Sequence, residues 1–242
     1  MDLRVSTIVG ISKFSQAVEL QELYDFVETD SKITFIELGE QYKGLIDKKN
    51  LKKREKKTKK YFYNQATLHV TMKYKDLDKR VNVKLFNNGS IQMTGLKSVE
   101  LGKQTLEYLV ELVNEFKEDR ITLGEYSIAL FNTDFDIGFK VNREKLNRHL
   151  YSLGIYTSFE PCIYPGVNIK YYYKTSNQSG LCECQPMCSG KGCHGDCKKI
   201  TIAVFNSGKI IITGGCNYDQ CFEAHEFIKK ILLEKKDEFI DK

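Results

Sequence analysis

Apolar and polar side chains alternate between Val81 and Phe86, with Val81, Val83 and Leu85 on one face and Asn82, Lys84 and Phe86 on the other. "NNG" follows, a tight turn in which Asn and Gly supply the positive φ that a hairpin needs. The return strand adds Ile91 and Met93 to the first face and Ser90, Gln92 and Thr94 to the second. The pattern recurs in the second half, with Ile200, Ile202, Val204, Ile210 and Ile212 set against Thr201, Ala203, Phe205, Lys209, Ile211 and Thr213. Each hairpin leads into a stretch of helical period. Leu106, Leu109, Val110, Val113 and Phe116 mark one stretch, and Phe227, Ile228, Ile231 and Leu232 the other. A hairpin backed by such a helix predicts an antiparallel sheet covered on one side, whose open face meets water or a partner.

The two hairpins are copies. "LFNNGSIQMTGL" (85–96) and "VFNSGKIIITGG" (204–215) lie 204 − 85 = 119 residues apart, and residues 81–113 overlay 200–232 without a gap. Phe86/Phe205, Asn87/Asn206, Gly89/Gly208, Ile91/Ile210, Thr94/Thr213, Gly95/Gly214 and Glu107/Glu226 are identical. One repeat at half the chain length indicates a duplicated domain, with halves 1–119 and 120–242, rather than a solenoid. Upstream, a strand over Val5–Ile11 precedes a helix over Ser15–Val27, with Ala17, Leu20, Leu23, Tyr24 and Val27 on its apolar side. The second half offers a strand over Tyr126–Thr133 and a helix over Asn142–Leu153 carrying Leu146, Leu150 and Leu153, with Gly154 as its left-handed cap. Each half therefore runs strand, helix, several antiparallel strands, helix. Phe86 and Phe205 occupy equivalent positions on the open faces. A single exposed aromatic needs no explanation, but two equivalent ones among small and β-branched neighbours point to a binding surface.

Charge changes this picture in one place. The formal net charge is +5, yet residues 48–60, "KKNLKKREKKTKK", hold nine Lys or Arg and one Glu, leaving −3 elsewhere. The start "MDLRVSTIVG" shows no basic n-region before an apolar h-region, so no signal peptide is read. No stretch approaches the ~18 consecutive apolar residues of a membrane span. Eight cysteines in such a chain fit a reducing compartment better than a disulfide framework. A phosphate-cradling glycine loop, a nucleophile–base pair and paired carboxylates with a cofactor partner are all missing from the pattern, so no enzyme is expected.

"FEPCIYPGVNIKYYYK" (Phe159–Lys174) resembles the stirrup loop of the TATA-binding protein family, whose pattern is Tyr-Glu-Pro-X-Leu-Phe-Pro-Gly-Leu. "AVFNSGKIIITGG" is similar to that family's Phe-X-Ser-Gly-Lys-X-X-X-Thr-Gly hairpin. The likeness covers most of both halves, more strongly the second. The departures and insertions resemble the divergent relatives encoded by large cytoplasmic DNA viruses. The resemblance implies an α+β fold: a pseudo-symmetric saddle of two repeats, with a curved antiparallel sheet of about ten strands and helices on its convex face. It implies a transcription initiation factor that bends A·T-rich promoter DNA through the minor groove and recruits a TFIIB-like factor and RNA polymerase. Unstacking a base step with an apolar wedge costs of order a few kcal/mol in minor-groove proteins, the TATA-binding protein among them. The wedges carried over are Tyr164 and Phe205 in the second half, and Phe86 with Leu68 in the first, or Thr67 if a gap moves by one residue. Thr7 and Asn132 (two residues beyond Leu130, which the ungapped register nominates) stand for the family's central asparagines. Thr94 and Thr213 hold its threonines, and Lys84 and Gln92 replace apolar groove contacts that Ala203 and Ile211 keep. Lys170 and Lys209 are expected at phosphates, and Glu160, Pro161, Cys162 and Ile163 form the stirrup that meets the protein partner. The rival reading is a scaffold of the transcription complex that kept the saddle and lost DNA binding, favoured by Lys84 and Gln92. Homodimerisation off DNA stays open.

Two insertions fall outside the family pattern. In the first, 43–62, Lys52, Lys53, Arg54, Lys56 and Lys57 are candidates for phosphate contact, the alternatives being a solvated loop or a nuclear-import signal. The second, 175–199, packs Cys182, Cys184, Cys188, Cys193, His194 and Cys197 into sixteen residues, a density that suggests tetrahedral zinc. The ligands would be Cys182, Cys184, Cys188 and either Cys197 or Cys193, against a reduced loop or disulfides formed in air. Cys162, Cys216 and Cys221 read as packing thiols. The expected location is intracellular and reducing: host cytoplasm, viral factory or virion for a viral chain, nucleus for a cellular one.

Overall fold

The computed structural model describes residues 2–45, 62–175, 179–192 and 197–241. The chain divides into two compact units, one of residues Ile8–Ala129 and one joining the residues up to Thr7 to those from Leu130 onward. The first unit orders its strands β3-β2-β4-β5-β6-β1. In chain order they are β1 (Arg4–Lys13), β2 (Ile33–Leu38), β3 (Gln41–Gly44), β4 (Gln65–Tyr74), β5 (Leu77–Phe86) and β6 (Ser90–Leu96). Helices α1 (Leu20–Phe26) and α2 (Val99–Asn114) accompany them. The second unit orders β7 (Ser127–Asp136), β8 (Thr157–Ser158), β9 (Val167–Tyr173), β10 (Lys198–Val204) and β11 (Lys209–Gly215) as β7-β11-β10-β9-β8. Its helices are α3 (Arg143–Ser152), α4 (Tyr218–Glu234) and the short α5 (Lys236–Phe239). Neighbouring strands pair antiparallel. Among the described residues eleven strands stand where about ten were expected, and the added β3 is a four-residue edge strand at the start of the basic insertion.

Strict alternation makes the sheets one-sided. Val81, Val83, Leu85, Ile91 and Met93 are all at most 2% exposed, as are Ile200, Ile202, Val204, Ile210 and Ile212. The helices that bury them keep their apolar stripes inward: Leu101, Leu106, Leu109, Leu112 and Val113 on α2, and Cys221, Ala224, Ile228 and Leu232 on α4. Each fully buried Leu, Ile or Val contributes about 1.5–3 kcal/mol over its exposed state. The caps repeat with the hairpins: Ser98 Oγ accepts from Leu101 N at 3.1 Å and Asn217 Oδ1 from Gln220 N at 3.0 Å. Ser98 and Asn217 are again 119 residues apart.

Three local expectations change. The helix expected from Ser15 begins only at Leu20. Donors ahead of it are already engaged, Phe14 N to Gly89 O, Ser15 N to Thr122 O and Val18 N to Asn87 O at 2.9–3.0 Å, so Val18 turns inward and Ala17 outward. Leu153, expected in the core, is 48% exposed past the last turn of α3, while Gly154 takes the left-handed cap at φ 74° as expected. In the hairpin turns only Gly89 (φ 81°) and Gly208 (φ 88°) adopt positive φ, whereas the asparagines do not. The described chain also holds a hairpin the pattern did not announce, β4–β5, turning through Lys75 (φ 48°) and Asp76 (φ 61°).

The turn glycines meet the same neighbour in both units. A Cβ on Gly89 would stand 2.3 Å from the Gln16 carbonyl oxygen, and one on Gly208 2.3 Å from that of Phe139. Gly89→Ala and Gly208→Ala should each lose the ~1–2 kcal/mol of left-handed strain plus the shift needed to relieve that clash. Gly138→Ala, at φ 84° with nothing within 4 Å, should lose the strain alone. Urea unfolding of the three variants checks this, and equal losses would remove the role assigned to the close approach.

Candidate nucleic-acid interface

In the second unit the open face is built from cross-strand pairs. Asn132 lies opposite Thr213, Ile211 opposite Ala203, Ala203 opposite Asn168, and Thr201 opposite Lys170. Thr213 Oγ1 donates to Asn132 Oδ1, and Lys170 Nζ donates to Thr201 Oγ1 at 3.0 Å. Burial and then the Lys199 charge hold the Lys170 ammonium below its ordinary pKa. Ala203, between Ile211 and Asn168, is 6% exposed and leaves a flat apolar floor.

At one end of this strip Phe205 and Tyr164 meet edge to face, ring centroids 5.8 Å apart at 61°. Gly166 makes room for both: a Cβ there would stand 3.0 Å from the Tyr164 ring and 3.3 Å from the Phe205 ring. The preceding turn is tied by Ile163 N and Tyr164 N, both donating to Glu160 O at 2.9 Å. Arg143 anchors it from behind, donating to Pro165 O and lying 5.0 Å over the Phe159 ring. Glu160, Pro161, Cys162 and Ile163 are all exposed. Cys162 is thus not a packing thiol, whereas Cys221 is buried and its thiol is pushed up to about 11, chiefly by that burial.

Two acids of β7 fall on the same side, Asp134 and, at the exposed end of the strand opposite Lys209, Asp136. Burial raises the Asp134 carboxyl, but hydrogen bonds from Ser6 and Arg4 and the charges of Arg4 and Lys209 more than reverse this, holding it below its ordinary range. Arg4 and Ser6 thereby neutralise an anion beside Ile211, a pairing the sequence pattern did not announce.

On the first unit, Phe86, Lys84 and Asn82 of β5 share the open face with Thr94 and Gln92 of β6, and Lys84 lies directly opposite Gln92. Leu68 is not there. It is wholly buried and pairs with Val83 on the core side, because β4 alternates with Ala66, Leu68, Val70 and Met72 inward; Thr67 takes the open side. The strand register identifies what sequence alignment missed. Leu85 pairs with Ala66 as Val204 pairs with Val167, so the counterpart of Tyr164, three residues before Val167, is Tyr63. Tyr63 is 69% exposed, and its ring rests against Gly39, where a Cβ would come within 2.7 Å. The signal available in sequence was a tyrosine three residues before a strand that pairs with the Phe-bearing one; the length of the insertion hid it. Thr7 is half-buried on β1. Lys52, Lys53, Arg54, Lys56, Lys57 and Cys193 lie outside the described residues.

The cysteine loop joins the other end of β9 and β10, away from Tyr164 and Phe205. The thiol sulfurs of Cys182, Cys184, Cys188 and Cys197 lie within 4.8 Å of one another, with Cys182–Cys188 at 3.5 Å and Cys184–Cys197 at 3.7 Å. Four thiolates at ~2.3 Å from one tetrahedral ion would be about 3.8 Å apart, so this donor set fits a metal. The backbone N–H groups of Cys188 and Cys184 bring the Cys182 thiol down to about 7, while burial lifts Cys197 to about 12. Loop backbone pairs with both strands: Tyr172 N donates to Gly180 O at 2.9 Å and Lys199 N to Gly190 O at 2.8 Å. No helix among the described residues is long and apolar enough to cross a membrane.

Residues 128–235 match the family model of the transcription factor TFIID, or TATA-binding protein. A TATA-box-binding protein-like protein of Acanthamoeba polyphaga mimivirus is 29% identical, over 96% of this chain and 63% of its own length. TATA-box-binding protein 1 of Triticum aestivum is 27% identical over 65% of this chain and 55% of its own length. The TATA-box-binding protein of Methanococcus aeolicus is 25% identical over 67% of this chain and 74% of its own. The chain thus spans less than two thirds of the first two relatives. Among solved structures, Methanococcus jannaschii TBP superposes with a TM-score of 0.55 over 97% of this chain and 99% of its own, at 16% identity, a likeness of fold. Over residues 128–235 the chain is thus similar in sequence to the TATA-binding protein family, and its fold is similar to that of an archaeal TBP.

Proposed function

We propose that the chain is a TATA-binding-protein-like transcription initiation factor that binds the minor groove of A·T-rich promoter DNA, bends it, and recruits a TFIIB-like factor and RNA polymerase. One observation carries this reading: a partly exposed Tyr164–Phe205 pair at the end of a strip of Thr, Asn, Ala and Ile on an otherwise one-sided sheet. Rings so held can enter a base step, and the wider contact that a bend permits offsets the unstacking. Phe86 repeats the position in the other unit, and Tyr63 replaces Leu68 as its companion. The strip suits A·T pairs. Their minor-groove edges carry acceptors only, which hydroxyl and amide donors satisfy, whereas the guanine amine would lie unpaired against Ala203 and Ile211. On the first unit Lys84 and Gln92 supply donors to the same acceptors. Lys170, Lys209 and the basic residues Lys52, Lys53, Arg54, Lys56 and Lys57 would meet phosphates, each contact steepening the salt dependence. Glu160, Pro161, Cys162 and Ile163 project from a turn fixed by Arg143 and would meet the TFIIB-like partner. The mimivirus relative supports action in a host cytoplasm or viral factory.

The four thiols are read as a zinc site with Cys182, Cys184, Cys188 and Cys197 as ligands. Zinc would hold a loop with few apolar residues of its own. Cobalt substitution should give the intense visible bands of a tetrahedral tetrathiolate, and Cys184→Ser should abolish them while Cys216→Ser leaves them. Cobalt bands untouched by Cys184→Ser would refute the ligand set.

End-labelled duplexes report bending by FRET. An A·T-rich duplex should bend, a G·C-rich one should bend less, and Phe86→Ala with Phe205→Ala should abolish bending. Salt-sensitive binding without bending, indifferent to these changes, would hand the chain to the scaffold reading that Lys84 and Gln92 favour. Tyr63→Ala should weaken bending without lowering the unfolding temperature, whereas Leu68→Ala should lose about 2–5 kcal/mol of stability; the reverse outcome would restore Leu68.

A further inference from the structure

The two open faces share a strand register and differ in chemistry. Asn82 lies opposite Thr94 as Thr201 lies opposite Thr213, and Lys84 lies opposite Gln92 as Ala203 lies opposite Ile211. Each position of the first set stands 119 residues before its equivalent in the second. Where the second unit has a methyl and a branched alkyl group, the first therefore has an ammonium and a primary amide. Gln92 has Lys84 on one side and Ile11, 40% exposed, on the other.

The polar groups of the second strip already serve one another. Thr213 Oγ1 donates to Asn132 Oδ1, and Lys170 Nζ gives a donor to Thr201. Among the described residues no hydrogen-bond partner holds the Lys84 or the Gln92 side chain, and both are half-buried on the open face. A ligand that covers such groups costs binding free energy unless it brings partners for them. The two side chains ask for different partners. An ammonium only donates, and purine N3 and pyrimidine O2 acceptors line the minor groove at every base pair, so Lys84 is satisfied anywhere along it. Gln92 both donates and accepts. The guanine amine is the single donor that a base pair presents in the minor groove. Covered by an A·T pair, the Gln92 carbonyl faces acceptors alone; covered by a G·C pair, it can accept from guanine. Ile211 has nothing to accept with, and beneath it the guanine amine itself goes unpaired.

We propose that Gln92 is a specificity-determining residue that makes the DNA element asymmetric: the first unit prefers a G·C pair at Gln92, and the second excludes one at Ile211. This rests on the minor-groove reading above and deepens it. Lys84 adds affinity without discriminating between pairs. The two side chains that favoured a scaffold thus become the means of reading a different base pair.

The test is a binding titration on a labelled, symmetric A·T duplex into which single pairs are introduced step by step. Inosine·C lacks the minor-groove amine of G·C, and 2,6-diaminopurine·T adds that amine to an A·T edge. At one step in either half, G·C and diaminopurine·T should tighten binding about tenfold over A·T, since the protein can turn to meet them; inosine·C should not. A second G·C pair, scanned through the other half, should then meet a step at which binding weakens about tenfold. Gln92→Ile should erase the gain from the first pair, and Ile211→Gln should remove the penalty of the second. Lys84→Ala should weaken every duplex by the same factor. Both exchanges between equivalent positions leave the core face alone, so unfolding temperatures should hold. A penalty for G·C at every step, a gain that survives Gln92→Ile, or a gain that inosine·C reproduces would overturn the proposal, the last by assigning it to duplex deformability. If the A·T duplex is bent but no step favours G·C, this inference alone fails. If no duplex is bound or bent, the minor-groove reading fails with it.

Discussion

Everything on the open faces depends on the contact between each hairpin turn and the chain that leaves the first strand of its unit. Gly89 and Gly208 are the pivots. Their backbone approaches the Gln16 and Phe139 carbonyls too closely for any side chain. Around that approach Gly89 O and Asn87 O take the N–H groups of Phe14 and Val18, and Gly208 O and Asn206 O take those of Ile137 and Val141. The turn therefore fixes two elements at once: where the hairpin strands end, and where the chain peels away toward its helix. Phe86 and Phe205, each immediately before such a turn, inherit their position from it. On the wedge mechanism proposed above, a ring entering a base step would need this kind of support, because a misplacement of an ångström would set it against a base rather than between two.

Most of this was legible because a strand's period of two leaves little freedom. Once Val81, Val83 and Leu85 are inward, Lys84 and Phe86 must be outward, and the copy at 200–213 must do the same. The caps at Ser98 and Asn217 repeat with the copy, although the sequence pattern did not announce them. Leu68 shows the limit of that logic. Its strand was not announced by the pattern; its place was taken from an alignment across an insertion, and a shift of one residue moves a side chain to the opposite face. Pairing register, which only the folded chain supplies, puts Thr67 outside and makes Tyr63 the positional counterpart of Tyr164. The short α1 was misjudged for a different reason: local periodicity favoured helix from Ser15, and tertiary hydrogen bonds to the hairpin turn took the donors first. The cysteine spacing suggested a metal but left Cys193 and Cys197 as alternatives. The distances bring Cys197 to the other three.

The two halves share their framework and differ in what is attached to it. The first carries an added edge strand, β3, and the basic stretch where the second has a compact stirrup braced by Arg143. The second opens the far end of β9 and β10 into the thiol loop. Both insertions enter at loops between strands, where added chain costs little because neither the core face nor the helices need to move.

The repeat in the sequence and the unit of folding are not the same stretch of chain. β1 begins with Arg4 and Ser6, which pair with Asp134 of β7, while from Ile8 on its residues pair with β6. A fragment beginning at residue 120 would hold every residue of the second copy and still lack Arg4 and Ser6, leaving Lys209 as the remaining charge that lowers the Asp134 carboxyl. The boundary of the repeat and the boundary of the compact unit thus differ by a few residues of strand, and a cut where the repeat begins would separate Arg4 and Ser6 from Asp134.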